Sequence, residues 1–164
     1  MSNEPNPPSP PSGDTGPRDK VGNAATAIRA TAPLDQELNA LFLHVMMLAL
    51  CIWREARGEP LEGKLMVGQV VENRVNDHRW PDTFESVILQ KWQFSAFNPN
   101  DPNALKLPTR PDKEWDESLA AARWVVNREP VTDANHYHVT GLHPKWEDPE
   151  KVVARVGHHV FYKL

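Results

Sequence analysis

Residues 35–60 read DQELNALFLHVMMLALCIWREARGEP, and this stretch decides how the chain folds. Asp35 is a suitable N-cap, and the residues that follow are apolar on nearly every side of a helix. A helix of that kind forms the centre of a folded domain. Gly58 supplies a C-terminal stop and Pro60 follows it, so the helix is predicted to end around Arg57.

Composition separates an N-terminal tail from this domain. Residues 1–33 hold seven of the 16 prolines, with Ser, Gly, Asn and Asp between them. Such a segment cannot bury enough apolar surface to offset its ordering entropy, so we predict a disordered or extended tail, with a short helix over residues 24–32 as the alternative. Residues 34–164 are predicted to form one domain, since single domains commonly have roughly 100–150 residues.

Apolar spacing predicts three more helices and then a small sheet. The helices are expected at 61–75, at about 84–89 after Asp82, and at 113–128 after Asp112. The proline-rich segment 91–112 lacks periodicity and is predicted to be a long functional loop. Alternating patterns predict strands at 136–139, 151–156 and 158–162, the last two joined at Gly157. The predicted fold class is therefore α+β, with a small C-terminal antiparallel sheet.

Charge and composition exclude several classes of partner. The net charge is −4, and acidic and basic residues are interspersed, which argues against nucleic acid or an anionic membrane. The N-terminal residues lack the pattern of a secretory signal, so we expect synthesis in the cytoplasm without a signal peptide. The apolar stretch 38–53 is shorter than the roughly 20 residues of a membrane span, and we expect no membrane insertion. Cys51 is expected to be a buried, inert thiol.

Glu55 is the side chain best suited to chemistry. It lies at the end of the apolar helix, where burial and the negative end of the helix dipole both raise a carboxyl pKa. Arg54 and Arg57 would lower that pKa if they pointed inward. A glutamic acid that stays protonated can donate a proton to the leaving oxygen of a glycosidic bond. The residues alone also allow an ion-paired helix end or a solvated surface residue.

Other polar residues could complete such a site. Glu59 is a possible second carboxylate, as nucleophile, as water activator or, the role we favour, as a structural partner. Gln93, Phe94 and Ser95 combine amide, aromatic and hydroxyl groups in a way that suits sugar binding, although Phe94 could equally pin the loop to the core. Asn73 could line the cleft or brace it.

The histidines raise the question of a metal site. His136 and His138 share one side of a predicted strand, so a zinc amidase or peptidase is an alternative. Because no HExxH or paired-cysteine spacing accompanies them, we predict neither metal nor cofactor. The sequence also lacks a Gly-rich phosphate loop and a Gly-x-Ser-x-Gly elbow, which excludes nucleotide-dependent and serine-hydrolase chemistry.

Several motifs follow one another in a specific order across about residues 34–164. They are Glu55-Ala56-Arg57-Gly58-Glu59-Pro60, Glu62-Gly63, VGQVVENRV at 67–75, Trp80-Pro81, Val87-Ile88, Gln93-Phe94-Ser95, His136-Tyr137-His138 and Gly157-His158-His159-Val160-Phe161-Tyr162. In this order and spacing they resemble the SleB-type cell-wall hydrolases, the family of spore-cortex lytic enzymes and related bacteriophage lysins.

The resemblance implies a lysozyme-like or resuscitation-factor-like domain that cuts peptidoglycan glycan strands between N-acetylmuramic acid and N-acetylglucosamine. It implies that Glu55 is the catalytic acid. We expect substrate contacts from Asn73, Gln93, Phe94, Ser95, Tyr137 and His138. With one well-placed acid, we favour a lytic transglycosylase, in which the muramic acid 6-hydroxyl attacks its own C1. A muramidase assisted by Glu59 and a non-catalytic wall-binding or virion module are the alternatives.

The same resemblance suggests a biological setting. The Pro-rich tail lies outside the matched motifs, and the peptidoglycan-binding repeat and secretion signal of spore enzymes are not apparent. We therefore expect a bacteriophage endolysin that acts as a monomer in host cell lysis after release through a holin. A bacterial wall-remodelling enzyme is the rival.

Overall fold

A computed structural model of the protein describes residues 17–164. Its first helix, α1 (Pro17–Glu55), begins well before the predicted cap Asp35 and ends slightly before the predicted position. Residues 17–33 of the predicted tail thus belong to a helix, whereas residues 1–16 lie outside the described part. The boundary between tail and domain stays a prediction. The chain divides into two compact units, 1–39 and 40–164, and the second carries the fold described below.

The C-terminal part of α1 forms the centre of this second unit, as predicted. Its fully or almost fully buried residues are Leu48, Ala49, Cys51, Ile52 and Trp53. Burial raises the pKa of the Cys51 thiol well above its ordinary value, which fits an inert thiol. The segment Asp35–Glu55 is also long and apolar enough to cross a membrane, although 33% of its most apolar window is buried and core helices share this property. The absence of membrane insertion stays a prediction.

Three helices pack around this centre. They are α2 (Leu61–Val75), α3 (Phe84–Ile88) and α4 (Lys113–Asn127). The cap of α3 is Thr83 and not Asp82, because the Thr83 hydroxyl accepts a hydrogen bond from the Ser86 N–H at 3.2 Å. Asp112 caps α4 as predicted, through the Trp115 N–H at 3.1 Å.

A buried lysine joins α2 to α4 through two ion pairs. Lys64 is fully buried, and its Nζ lies 2.7 Å from Glu114 and 2.6 Å from Glu117. Glu114 also accepts a hydrogen bond from the backbone N–H of Gly58, at 2.9 Å. Gly58 has a φ of 87°, a conformation that favours glycine, and it ends the helical path after Glu55. Helix α4 therefore fixes the break between α1 and α2.

The C-terminal sheet has three antiparallel strands in the order β1-β3-β2. They are β1 (His136–Val139), β2 (Val152–Val156) and β3 (His159–Tyr162). The central strand β3 is buried along its whole length. Gly157 makes the turn between β2 and β3 with a φ of 57°, at the predicted place. The predicted α+β class is confirmed.

The predicted long loop lies between α3 and α4 and contains a single turn of 3-10 helix, Ser95–Phe97. Phe94 and Ala96 are buried, whereas Gln93 and Ser95 are exposed. The alternation pins the loop to the core while its polar side chains face outward. The buried residues hold the 3-10 turn over the C-terminal end of α1.

Candidate active site

The Glu55 carboxyl group lies between the long loop and the sheet. The backbone N–H of Ala96 donates a hydrogen bond to Glu55 Oε1 at 3.1 Å, and the Tyr137 hydroxyl donates one to Oε2 at 3.3 Å. Ala96 belongs to the 3-10 turn and Tyr137 to β1. Three segments far apart in sequence thus meet at one carboxyl group.

Burial is the largest influence on this carboxyl group and raises its pKa. The hydrogen bonds from Ala96 and Tyr137 favour the carboxylate and lower the pKa, while the nearby charge of Asp101 raises it. The net effect is a pKa above the ordinary value of 4.5. Glu55 can therefore hold a proton at a higher pH than a solvated glutamate.

The two neighbouring arginines contact groups other than Glu55. Arg54 reaches the loop carbonyls, and Arg57 lies over the Trp53 ring, 4.7 Å from its centroid. Neither arginine is among the principal influences on the pKa of Glu55, so the lowering that inward-pointing arginines would cause is not found.

Tyr137 approaches Glu55 from a packed aromatic cluster on the sheet. Its ring lies 5.1 Å from His159 and 5.7 Å from Phe161, measured between ring centroids. Burial, followed by the charge of Glu55, raises the pKa of Tyr137 well above its ordinary value of 10.0. Tyr137 is therefore a neutral phenol and can serve as a hydrogen-bond donor.

Arg74 joins the two sides of the site and was not among the predicted site residues. It is 5% exposed, and its Nε donates to the Asn135 carbonyl at 2.8 Å while Nη1 donates to Gln93 Oε1 at 3.1 Å. The guanidinium also lies 5.5 Å from the centroid of the Phe94 ring. It therefore links the start of the loop to the start of β1. The Asn73-Arg74 motif marked the position, but the sequence does not reveal that Arg74 is buried.

Glu59 is engaged by the β2–β3 turn. The His158 N–H donates to Oε2 and His158 Nδ1 bonds Oε1, both at 2.9 Å. Burial works to raise the pKa of Glu59, but the His158 bonds outweigh it and the pKa is lowered. Gly157 is required here, because a Cβ at this position would collide with the Glu59 carboxylate. The contacts match the structural role favoured from sequence.

Asn73 and His138 make contacts away from Glu55. Asn73 Nδ2 donates to the carbonyls of Thr132 and Ala134, at 2.9 and 2.7 Å. His138 Nε2 bonds the Tyr162 hydroxyl at 2.8 Å. Both side chains brace the connection into β1 and the sheet, and their contact with substrate stays a prediction, as it does for Gln93, Phe94 and Ser95.

The two strand histidines do not assemble a metal site. His136 Nδ1 bonds the Asn135 side chain at 2.9 Å, and burial, followed by the charges of Arg74 and Arg79, lowers the pKa of His136 to about 4. Within residues 17–164, no group of three or more His, Cys, Asp or Glu side chains could hold a metal ion. The zinc alternative gains no support from these residues.

A family comparison agrees with this architecture. The sequence profile described as Cell Wall Hydrolase matches residues 58–162, more than half of the chain. The chain belongs to the cell wall hydrolase family. The matched segment begins just after Glu55 and contains both of its hydrogen-bond donors, Ala96 and Tyr137.

Curated relatives of this chain include spore cortex-lytic enzymes. The enzyme of Oceanobacillus iheyensis is 29% identical over 126 residues, which cover 73% of this chain and 41% of the relative. The enzyme of Bacillus subtilis is 28% identical over 120 residues, covering 71% of this chain and 36% of the relative. The chain thus spans less than half the length of these relatives.

Solved structures of the family have the same fold. The catalytic domain of the Bacillus cereus SleB protein is 25% identical, with a TM-score of 0.57, and the match covers 73% of this chain and 89% of that domain. The catalytic domain of the germination-specific lytic transglycosylase SleB from Bacillus anthracis is also 25% identical, with a TM-score of 0.56 and coverage of 73% and 93%. The predicted lysozyme-like fold class is confirmed.

Proposed function

We propose that this cell wall hydrolase cleaves peptidoglycan glycan strands between N-acetylmuramic acid and N-acetylglucosamine, as a lytic transglycosylase with Glu55 as its acid and base. The observation that carries the proposal is the raised pKa of Glu55, held between a backbone N–H and a neutral tyrosine hydroxyl. The likeness to the catalytic domain of the germination-specific lytic transglycosylase SleB supports the same reaction.

In the first step, protonated Glu55 gives its proton to the glycosidic oxygen as the bond from that oxygen to muramic acid C1 breaks. The carboxylate that results accepts hydrogen bonds from Ala96 and Tyr137. In the second step, it takes the proton of the muramic acid 6-hydroxyl as that oxygen bonds to C1. The products are a 1,6-anhydro end and a free N-acetylglucosamine hydroxyl, and Glu55 is protonated again.

The surroundings of the second carboxylate favour this intramolecular attack. Both oxygens of Glu59 accept hydrogen bonds from His158, so this carboxylate serves the turn. Against a loosely held water, the 6-hydroxyl has the advantage of an effective concentration on the order of 10⁵ M or more. The proposal includes contacts of the exposed Gln93 and Ser95 with the sugar chain.

Mass spectrometry of digested sacculi tests the reaction. We expect anhydromuramic acid ends, and we expect them to disappear with Glu55→Gln. If all ends are reducing muramic acid while cleavage still depends on Glu55, the protein is a muramidase. Glu59→Gln and Asp101→Asn would then identify the carboxylate that holds water. If sacculi bind the protein but release no soluble fragments, the non-catalytic alternative is correct.

The proposal includes host cell lysis by a bacteriophage endolysin that is made in the cytoplasm, acts as a monomer and needs no cofactor. Expression of the chain in a bacterial host, with and without a co-expressed holin, tests this part. We expect lysis only with the holin. Lysis without one, or none with it, would favour a bacterial wall-remodelling enzyme.

A further inference from the structure

Arg54 precedes the acid in sequence and binds the loop on the other side of it. Its Nη1 donates to the Ala96 carbonyl at 3.3 Å, and its Nη2 and Nε donate to the Lys106 carbonyl at 3.0 and 3.3 Å. Its guanidinium carbon lies 4.7 Å from the centroid of the Phe97 ring. One side chain thus fastens both ends of the segment 96–106.

Ala96 is held from both sides of its backbone. Its carbonyl accepts from Arg54, and its N–H donates to Glu55. The two residues that hold it are adjacent in sequence at the end of α1, which is rigidly packed in the core. A shift of the loop would therefore change the contact to Arg54 and the contact to the acid together.

We infer that Arg54 is a positioning residue: by holding the Ala96 carbonyl, its guanidinium directs the Ala96 N–H onto the carboxyl group of Glu55. The inference extends the proposed function, on which it rests for the role of Glu55. A planar fork with several fixed donors can bind two carbonyls at once, which the compact ammonium group of lysine does not reproduce.

The hydrogen bond from Ala96 acts on the pKa of the acid in a definite direction. A hydrogen bond from Ala96 favours the carboxylate and lowers the pKa of Glu55, so loosening the loop raises that pKa further. The other titratable or charged groups acting near Glu55 are Tyr137 on β1, Cys51 on α1 and Asp101 in the loop. Asp101 belongs to the segment that Arg54 fastens and raises the pKa of Glu55, so its displacement would offset part of the rise. Arg54→Lys keeps the positive charge that acts on Asp101 and Cys51.

The test compares Arg54→Lys with Arg57→Lys. Arg57 is a matched control, because it lies at the same helix end, carries the same charge and contacts the Trp53 ring. For Arg54→Lys we expect about a tenfold fall in the rate of sacculus lysis, since misplacement of a catalytic group by about 1 Å can cost up to 10²-fold. We also expect the alkaline limb of the pH–rate profile to move to higher pH. Arg57→Lys should change neither.

A direct titration separates this inference from the proposed function. The Glu55 carboxyl carbon, assigned by comparison with Glu55→Gln, is followed by NMR against pH in the wild type and in Arg54→Lys. A higher pKa in Arg54→Lys supports the inference even if Glu55→Gln retains activity, in which case only the proposed function fails. An unchanged pKa, or an equal shift in Arg57→Lys, overturns it. Thermal melting of each variant shows that the compared proteins are folded.

Discussion

Glu55 and Glu59 are four positions apart, yet their surroundings act on them in opposite directions. Glu55 meets one backbone N–H and one phenol in a buried setting, and its pKa is raised. Glu59 meets the N–H and the imidazole of His158 in the turn, and its pKa is lowered. Desolvation is the largest influence on both pKa values and works to raise them. The two pKa values shift in opposite directions because the interactions with neighbouring groups outweigh desolvation at Glu59 and not at Glu55.

The comparison separates a group that can move a proton from a group that holds the fold. The conformation of Gly58 turns the chain between them, so the two carboxyl groups face different neighbours despite their spacing. A pair of acids close in sequence is therefore a poor guide to a catalytic pair. The predictions below test this division, beginning with the largest effect.

The largest effect is expected from Glu55→Gln, because the amide is nearly isosteric with the acid but cannot donate the proton. We expect sacculus lysis to fall by ~10²-fold or more, in line with positioned acid catalysis. Turbidity loss and fragment release measure it. Activity within about tenfold of the wild type would contradict the assignment of the acid.

Compared with Glu55→Gln, the Glu59→Gln variant should lose less activity and more stability. We expect a rate within about tenfold of the wild type and a loss of roughly 1 kcal/mol in the free energy of unfolding, because one amide oxygen replaces two acceptors. Denaturant titration measures the second quantity. If Glu59→Gln is inactive and Glu55→Gln is active, the two roles are reversed.

The pH dependence of stability should differ in sign between the two acids. The raised pKa of Glu55 means that its contribution is present below the ordinary value of 4.5 and is lost as pH rises through the raised value. The lowered pKa of Glu59 means that its contribution is present above 4.5 and is lost as pH falls through the lowered value. We therefore expect Glu55→Gln to melt higher than the wild type near neutral pH, and Glu59→Gln to melt lower there.

Calorimetry over a pH series checks this pair of signs. As the pH falls through the lowered pKa of Glu59, both wild-type side chains approach the neutral state and the differences should shrink. Two variants that shift in the same direction at neutral pH would show that the surroundings of the two acids do not differ as described.

The smallest effect is expected from removing residues 1–30, which leaves both carboxyl groups and their partners in place. The Pro-, Ser- and Asn-rich composition contributes little buried apolar area. Melting temperature and activity on purified sacculi should be nearly unchanged. A large drop in melting temperature would show that this segment docks on the domain and affects the site from outside.

Local signals in the sequence predicted much of the fold. The apolar pattern located α2 at its observed bounds, the Asp112 cap located α4, and alternation with Gly157 located the β2–β3 hairpin. The predicted start of α1 at Asp35 was wrong. Asp35 is a good cap, but the residues before it are also compatible with a helix. The cap of α3 was displaced by one residue, since Asp82 and Thr83 are both suitable caps.

The site was less predictable because its contacts are long-range. Glu55 could be chosen for its position at the end of an apolar helix, and Tyr137 belongs to a quoted motif. The donor of the second hydrogen bond, the Ala96 backbone, leaves no trace in the sequence, because every residue except proline has an N–H. The direction of Arg54 and the burial of Arg74 likewise depend on packing that a single sequence does not display.

The contacts of Arg54 with the loop have a consequence for protein engineering. Its anchor points are main-chain oxygens of Ala96 and Lys106, which any side chain in those positions would leave available. The intervening residues 98–105, apart from Asp101, can therefore be exchanged for another loop of the same length while the acid keeps its hydrogen bonds and the charge of Asp101. This makes the segment a graft site through which the preference for different wall polymers could be varied without rebuilding the catalytic centre.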